Sequence, residues 1–468
     1  MWRSAYGLPI STASSEAGTA YDTGVHGLLS WDREAAAQFE RAAELDPSLA
    51  VAHAARAACH FMAEEGVEAK AAMERAARTT SQGTPYEVSH VNALALWMSG
   101  DAVAAERAMR EHLAEYPRDI VILQRLFFIY FWQGRSADLL GTTQPALSVL
   151  PSDGFIQGLH AFSLHETGSI DESLRYGHAA LDLNPSDAWA VHAVAHAYYE
   201  CGDASNGAAF LPTAVAHCPQ LGYFRTHLFW HLALFELAAG REKRVWDLYR
   251  HAIRGTRSTY RAELDDAIGL LWRLDLTGQD TAGRWGEIAE IARERIQRPN
   301  LVYHELMLAM ALAAANDDAG LSVQRDRMLA RAASAPVMRD VVLPLRDGLL
   351  AFRRGDYQRT VDLLEPIRGR IAEVGGSHAQ REVFHDTLLE SYLHTGNGLA
   401  AQRLLLDRLE HRPSAGRAWC RLARAQTETD PDAATVSAAR AIAALETTAD
   451  AACRDLATAR EITSSNVV

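Results

Sequence analysis

Apolar and polar positions along this chain alternate with the period of a helix. Little follows the two-residue period of a strand, and Ala, Leu, Arg and Glu, all strong helix formers, dominate. Glycine and proline fall at intervals, as punctuation between helical runs. Six stretches share one form: an apolar helix, a glycine turn, then a helix rich in small residues. They begin near His90, Gly158, Val191, His231, Arg346 and Ser391, and a weaker copy starts at Ala36. Gly100 and Gly134 are 34 residues apart, as are Gly168 and Gly202. Pro47, Pro117, Pro185 and Pro413 each close a second helix just before the next pair begins.

A repeat of 34 residues with glycine and proline in phase is the tetratricopeptide period. The pattern therefore predicts an all-α, tetratricopeptide-like helical-repeat solenoid. The 38-residue intervals from Gly202 to Gly240 and from Gly240 to Gly278 make it irregular and suit an array that closes on itself. One array is expected over 1–468. Within it, 1–35 packs on the first repeat, 36–298 holds the N-terminal and central repeats, 299–458 the C-terminal repeats, and 459–468 is a flexible tail. Candidate hinges run over Pro299–Leu301 and Ala335–Val337.

Composition narrows the function classes. Hydrophobic residues make up 48% of 468 and charged residues 22%, an ordinary balance for a folded chain. A formal charge of -13, with dispersed arginines, argues against a phosphate-backbone binder. Cys59, Cys201, Cys218, Cys420 and Cys453 are odd in number and widely spaced, without CxxC, so neither a disulfide framework nor a zinc knuckle is expected. No apolar run is long enough for a membrane span, and the opening residues do not read as a signal peptide, so a cytoplasmic protein is expected. Walker, dinucleotide-binding, nucleophile-elbow and HExxH patterns are absent from the sequence.

The chemistry-bearing signal is histidine placement. His192, His196 and Glu200 form one stripe at i, i+4, i+8, and His227 and His231 form another. Counted back from its turn glycine, His90 repeats the phase of His192, and Glu87 that of His227. His165 lies on a neighbouring part of the same face. In such an array the first helices line the concave surface, so His90, His192, His196 and His227 are expected around a common cavity, with Glu87, Glu200 and His231 at its edge. His192, His196, His227 and His231 could hold a divalent transition metal, with Glu200 or Asp266 as a further ligand. The same residues equally suit packed, hydrogen-bonded positions, metal-free acid–base chemistry, or the polar floor of a peptide groove. The GGSHAQR segment from Gly375 reads as a helix–helix turn in which Arg381 meets a partner carboxylate or an anionic group of a ligand.

The opening MWRSAYGLPISTASSEA, the central NPSDAWAVHAVAHAYYE, the HLFWHLALFE motif and the late LLEPIRGRIAEVGGSHAQREVFHDTLL resemble the tetratricopeptide repeat protein 38 family, in order and nearly end to end. That resemblance implies a cytoplasmic helical-repeat protein and assigns no activity. It also matches Glu87, His90, His192, His196, His227, His231, Asp266, Arg273, His304, Arg381 and Phe384 to family positions. Phe127 and Phe128 stand where the family is expected to carry a His-Asp pair. Two readings follow: a groove that binds a peptide or protein segment, or a small-molecule enzyme or receptor built round a histidine-rich, metal-binding cavity. A homo-oligomer is compatible with either; nucleic acid and membrane are not expected as partners.

Overall fold

A computed structural model describes residues 1–255, 257–298, 300–333 and 335–465. They form 25 α-helices, joined mostly as antiparallel pairs, as the repeat pattern requires. Among them the only sheet is a two-stranded antiparallel ribbon, Trp2–Arg3 with Pro9–Ile10. No helix among the described residues is long and apolar enough to cross a membrane.

The turn glycines at 100, 134, 168, 202 and 240 lie between successive helices with φ between +65° and +87°. Gly134 shows why the residue type is fixed. Its φ is +65°, and a Cβ there would lie 1.8 Å from the carbonyl oxygen of Ala372. Helix starts are equally local. Thr84 and Glu87 close a capping box on Pro85–Met98, and Ser377 and Gln380 close another on His378–His394. Regular α-helix gives way to π-helical turns at Tyr249–Ile253 and Met338–Val342 and to a 3-10 run at Glu365–Val374.

First and second helices differ in burial. Every residue of Gly154–Glu166 except Gln157 is buried, whereas Ile170–Leu183 buries only Ser173, Gly177 and Ala180. That stripe at i, i+4, i+7 is made of small residues because neighbouring helices come close. A Cβ on Gly177 would lie 2.5 Å from Val194 Cγ2.

The chain forms two compact units. One comprises Met1–Phe131, Ser136–Val194 and Thr213–Arg225. The other comprises Trp132–Arg135, Ala195–Pro212 and the chain from Thr226 on. The expected tail from 459 falls partly on the helix Arg454–Ser465, and 466–468 lie outside the described residues, as does Pro299 of the first candidate hinge.

Candidate functional site: a histidine centre

In the second unit, His196 comes from Ala188–Glu200, and His227 and His231 from Phe224–Ala238. Each ring offers a nitrogen, and the three lie within 4.8 Å of one another. The His196 and His231 ring centres are 4.4 Å apart, and those of His227 and His231 4.9 Å, both edge-on. His196 and His231 are fully buried, whereas His227 keeps 12% of its side chain exposed. Trp230 stacks on His227 at 5.3 Å and meets His231 edge-on, and the Arg273 guanidinium lies over the Trp230 ring, 5.4 Å from its centre. Arg273 itself donates to the carbonyls of Gly269 and Ala379.

Two adjacent carboxylates on Arg261–Leu276 serve different helices. Asp266 Oδ1 lies 2.9 Å from His227 Nδ1, and Asp265 Oδ1 lies 2.5 Å from His304 Nδ1 on Val302–Ala314. A carboxylate on Nδ1 fixes ring orientation and leaves Nε2 as the working nitrogen. Asp266 Oδ2 and Trp230 Nε1 are buried without a hydrogen-bond partner, which marks this as a polar site with donor and acceptor capacity left over. Burial pushes the Asp266 carboxyl up, and the His227 imidazole opposes it.

The remaining sequence candidates have defined places. His192 sits one turn before His196 on the same helix, so helical periodicity gives both the same face; its ring stacks on Phe162 at 5.4 Å and meets Trp189 at 4.7 Å. His165 is buried edge-on against Phe162, 4.4 Å between ring centres. Glu87 closes its capping box and accepts from the backbone and hydroxyl of Ser11, anchoring the N-terminal segment. Glu200 pairs with Arg412 at 2.7 Å, and Arg412 also holds Glu382 at 2.8 Å, so this carboxylate belongs to a half-buried ion network. Arg381 donates to the Gly376 carbonyl within its own turn, where Gly375 and Gly376 both have positive φ. Phe127 and Phe128 pack with Trp189, at 5.9 and 4.9 Å.

His90 belongs to a group in the first unit, with two residues the sequence reading passed over. His90 Nδ1 lies 2.6 Å, and His112 Nε2 2.9 Å, from the same oxygen of Asp119. The missed signal was Asp119 itself, the last residue of a Pro-x-Asp sequence that recurs at Asp153 and Asp187, each 34 residues on.

The fold and these sites define a helical-repeat protein of stacked helix pairs. No family model matches the chain. Among solved structures it is similar to the APC/C hetero-tetramer Cut9-Hcn1, at 13% identity over 97% of this chain and 84% of the other, with a TM-score of 0.48. It is also similar to yeast Tom70, at 13% identity over 96% of each chain and a TM-score of 0.35. A third is the human IFIT1 dimer with m7Gppp-AAAA, at 16% identity over 94% and 91%, TM-score 0.38. At these values the likenesses carry no argument about activity.

Proposed function

We propose that this helical-repeat protein works through the centre of His196, His227 and His231, and that the centre takes a small ligand by way of a bound divalent transition metal. The carrying observation is that three imidazole nitrogens lie within 4.8 Å of one another while a buried carboxylate orients one ring. Imidazole donors without sulfur suit zinc or iron(II). Asp266 acts in this reading as a positioning residue for His227. The peptide-groove reading is the second choice, because a groove floor should present its polar atoms to solvent, and His196 and His231 are fully buried. We also read the chain as a cytoplasmic relative of the tetratricopeptide repeat protein 38 family, supported by the quoted motifs and by five cysteines that stay unpaired.

The test is an elemental analysis of protein purified without a histidine tag, followed by a zinc titration. The expected result is bound metal and a loss of affinity of about 100-fold or more in His196→Ala. Asp266→Ala should lose about 10–100-fold, the range for an outer partner of a metal-bound histidine. Metal-free protein whose zinc affinity is unmoved by His196→Ala would return the peptide-groove reading to first place.

A further inference from the structure

The first unit carries a second centre that shares no residue with the one above. Asp119, Asp153 and Asp187 occupy the same place in three successive repeats, and in each Oδ1 accepts from the backbone at the start of the next helix. Asp119 takes Val121 and Ile122 N–H, Asp153 takes Ile156, and Asp187 takes Trp189 and Ala190. His90 and His112 stand 29 and 7 residues before Asp119. The residues at the same distances before Asp187 are Gly158 and Ala180, and before Asp153 they are Gln124 and Ala146. Helix capping is therefore complete without any imidazole, and the two histidines are an addition that the repeat does not require.

Their arrangement is that of a ligand set. His90 Nδ1, His112 Nε2 and Asp119 Oδ2 converge within 4.8 Å, and none of the three residues is more than 2% exposed. Outer partners hold two of them in place: Ser89 Oγ lies 2.8 Å from His112 Nδ1, and the capping N–H groups fix the Asp119 carboxylate. The Tyr86 hydroxyl, 3.4 Å from His90 Nδ1, is a fourth donor at hand. Metal–ligand bonds of about 2.0–2.1 Å in a tetrahedral site put neighbouring donors about 3.3 Å apart. The observed 2.6 and 2.9 Å contacts need to open by less than about 1 Å to admit an ion.

We propose that His90, His112 and Asp119 bind a divalent cation of the zinc or iron(II) type, which clamps the helices Pro85–Met98, Ala102–Glu115 and Ile120–Phe131 together. Two imidazoles and one carboxylate are a donor set both ions accept. Binding replaces the hydrogen bonds between the ring nitrogens and Oδ2: a neutral ring keeps its proton on its other nitrogen, and only a charged ring releases one to solvent.

The probe is cobalt(II), read by its ligand-field absorption and by equilibrium dialysis of the full chain. The double variant His196→Ala/His231→Ala removes the centre proposed above. It should retain one equivalent, which adding His112→Gln should abolish, and zinc should raise its melting temperature. Wild-type protein that binds one equivalent, kept in the double variant and lost in His112→Gln alone, would sink the first proposal and leave this one standing. A double variant that binds no cobalt, or whose bound cobalt ignores His112→Gln, overturns this one. Should the His112 variant fail to fold, X-ray absorption of the zinc-loaded double variant decides: two imidazoles in the first shell are expected, and none or one overturns the clamp.

Discussion

Asp119 and Asp187 are the same residue in the same repeat position and experience opposite environments. Both are buried and both cap a helix through Oδ1. Around Asp119 the second oxygen meets two imidazoles. Burial alone would raise that carboxyl, but His90, then His112, outweigh it and hold it well below the usual range. Around Asp187 the histidine positions are Gly158 and Ala180, Oδ2 has no hydrogen-bond partner, and burial pushes the carboxyl up to about 7. One scaffold position thus holds either a charge with partners or a carboxyl that burial favours as neutral. The difference lies in side chains contributed by the preceding helix pair.

The largest expected effect tests that contrast directly. Asp119→Ala leaves two imidazoles without their acceptor and should destabilise by about 3–5 kcal/mol. Asp187→Ala removes a cap worth about 1 kcal/mol and relieves an orphaned oxygen at the same time. Urea unfolding followed by circular dichroism measures both, and equal losses would break the comparison.

Acidity gives the two sites opposite signs. The folded Asp187 carboxyl lies above its unfolded value of about 3.9. Its contribution is therefore complete below about pH 4 and is lost as pH rises to about 7. Asp187→Asn keeps an accepting oxygen for the cap, so its melting temperature should gain on wild type between pH 5 and pH 8. The folded Asp119 carboxyl lies below its unfolded value, so its contribution is present above about pH 4 and is lost as pH falls below it. Asp119→Asn should trail wild type at neutral pH and close the gap in acid. Parallel pH curves for the two variants would contradict the assignment.

Filling the Asp187 site is expected to do less. Ala180 is fully buried, and a Cβ on Gly158 would lie 2.9 Å from Asp187 Oδ2 and 3.1 Å from Ala190 Cβ. Ala180→Leu should cost about 1–3 kcal/mol, with Gly158→Ala at the lower end. An unchanged melting temperature in Ala180→Leu would show that the second helix has room there. The smallest effect belongs to Ser89→Ala, which removes the bond to His112 Nδ1 and should cost about 0.5–1.5 kcal/mol in the metal-free protein.

The two histidine sites were legible to different degrees. His196, His227 and His231 stood out because i, i+4 spacing on a helix is a local pattern. His112 did not, because it lies on a second helix, and Asp119 did not, because a loop aspartate beside a proline looks like a cap and nothing more. Glu200 looked like part of the histidine stripe from its i+4 spacing. Its partner Arg412 is 212 residues away, and no local periodicity reports such a pair. Arg381 stood out through its place after two glycines, and one bond of its guanidinium goes to the Gly376 carbonyl of that same turn.

By itself the sequence determined the helices, the glycine turns, the repeat period and the face of each helix on which a histidine stands. These follow from φ, ψ and side-chain spacing over a few residues, so short-range sterics and burial suffice. Tertiary structure alone decided which carboxylate each imidazole meets: Asp266 for His227, Asp265 for His304, Asp119 for both His90 and His112. Partners 29 or 39 residues apart are joined by the angle and offset between neighbouring helices. Those are set by how small residues such as Gly177 and Ala180 let the backbones approach, a property of packed pairs and not of any one segment.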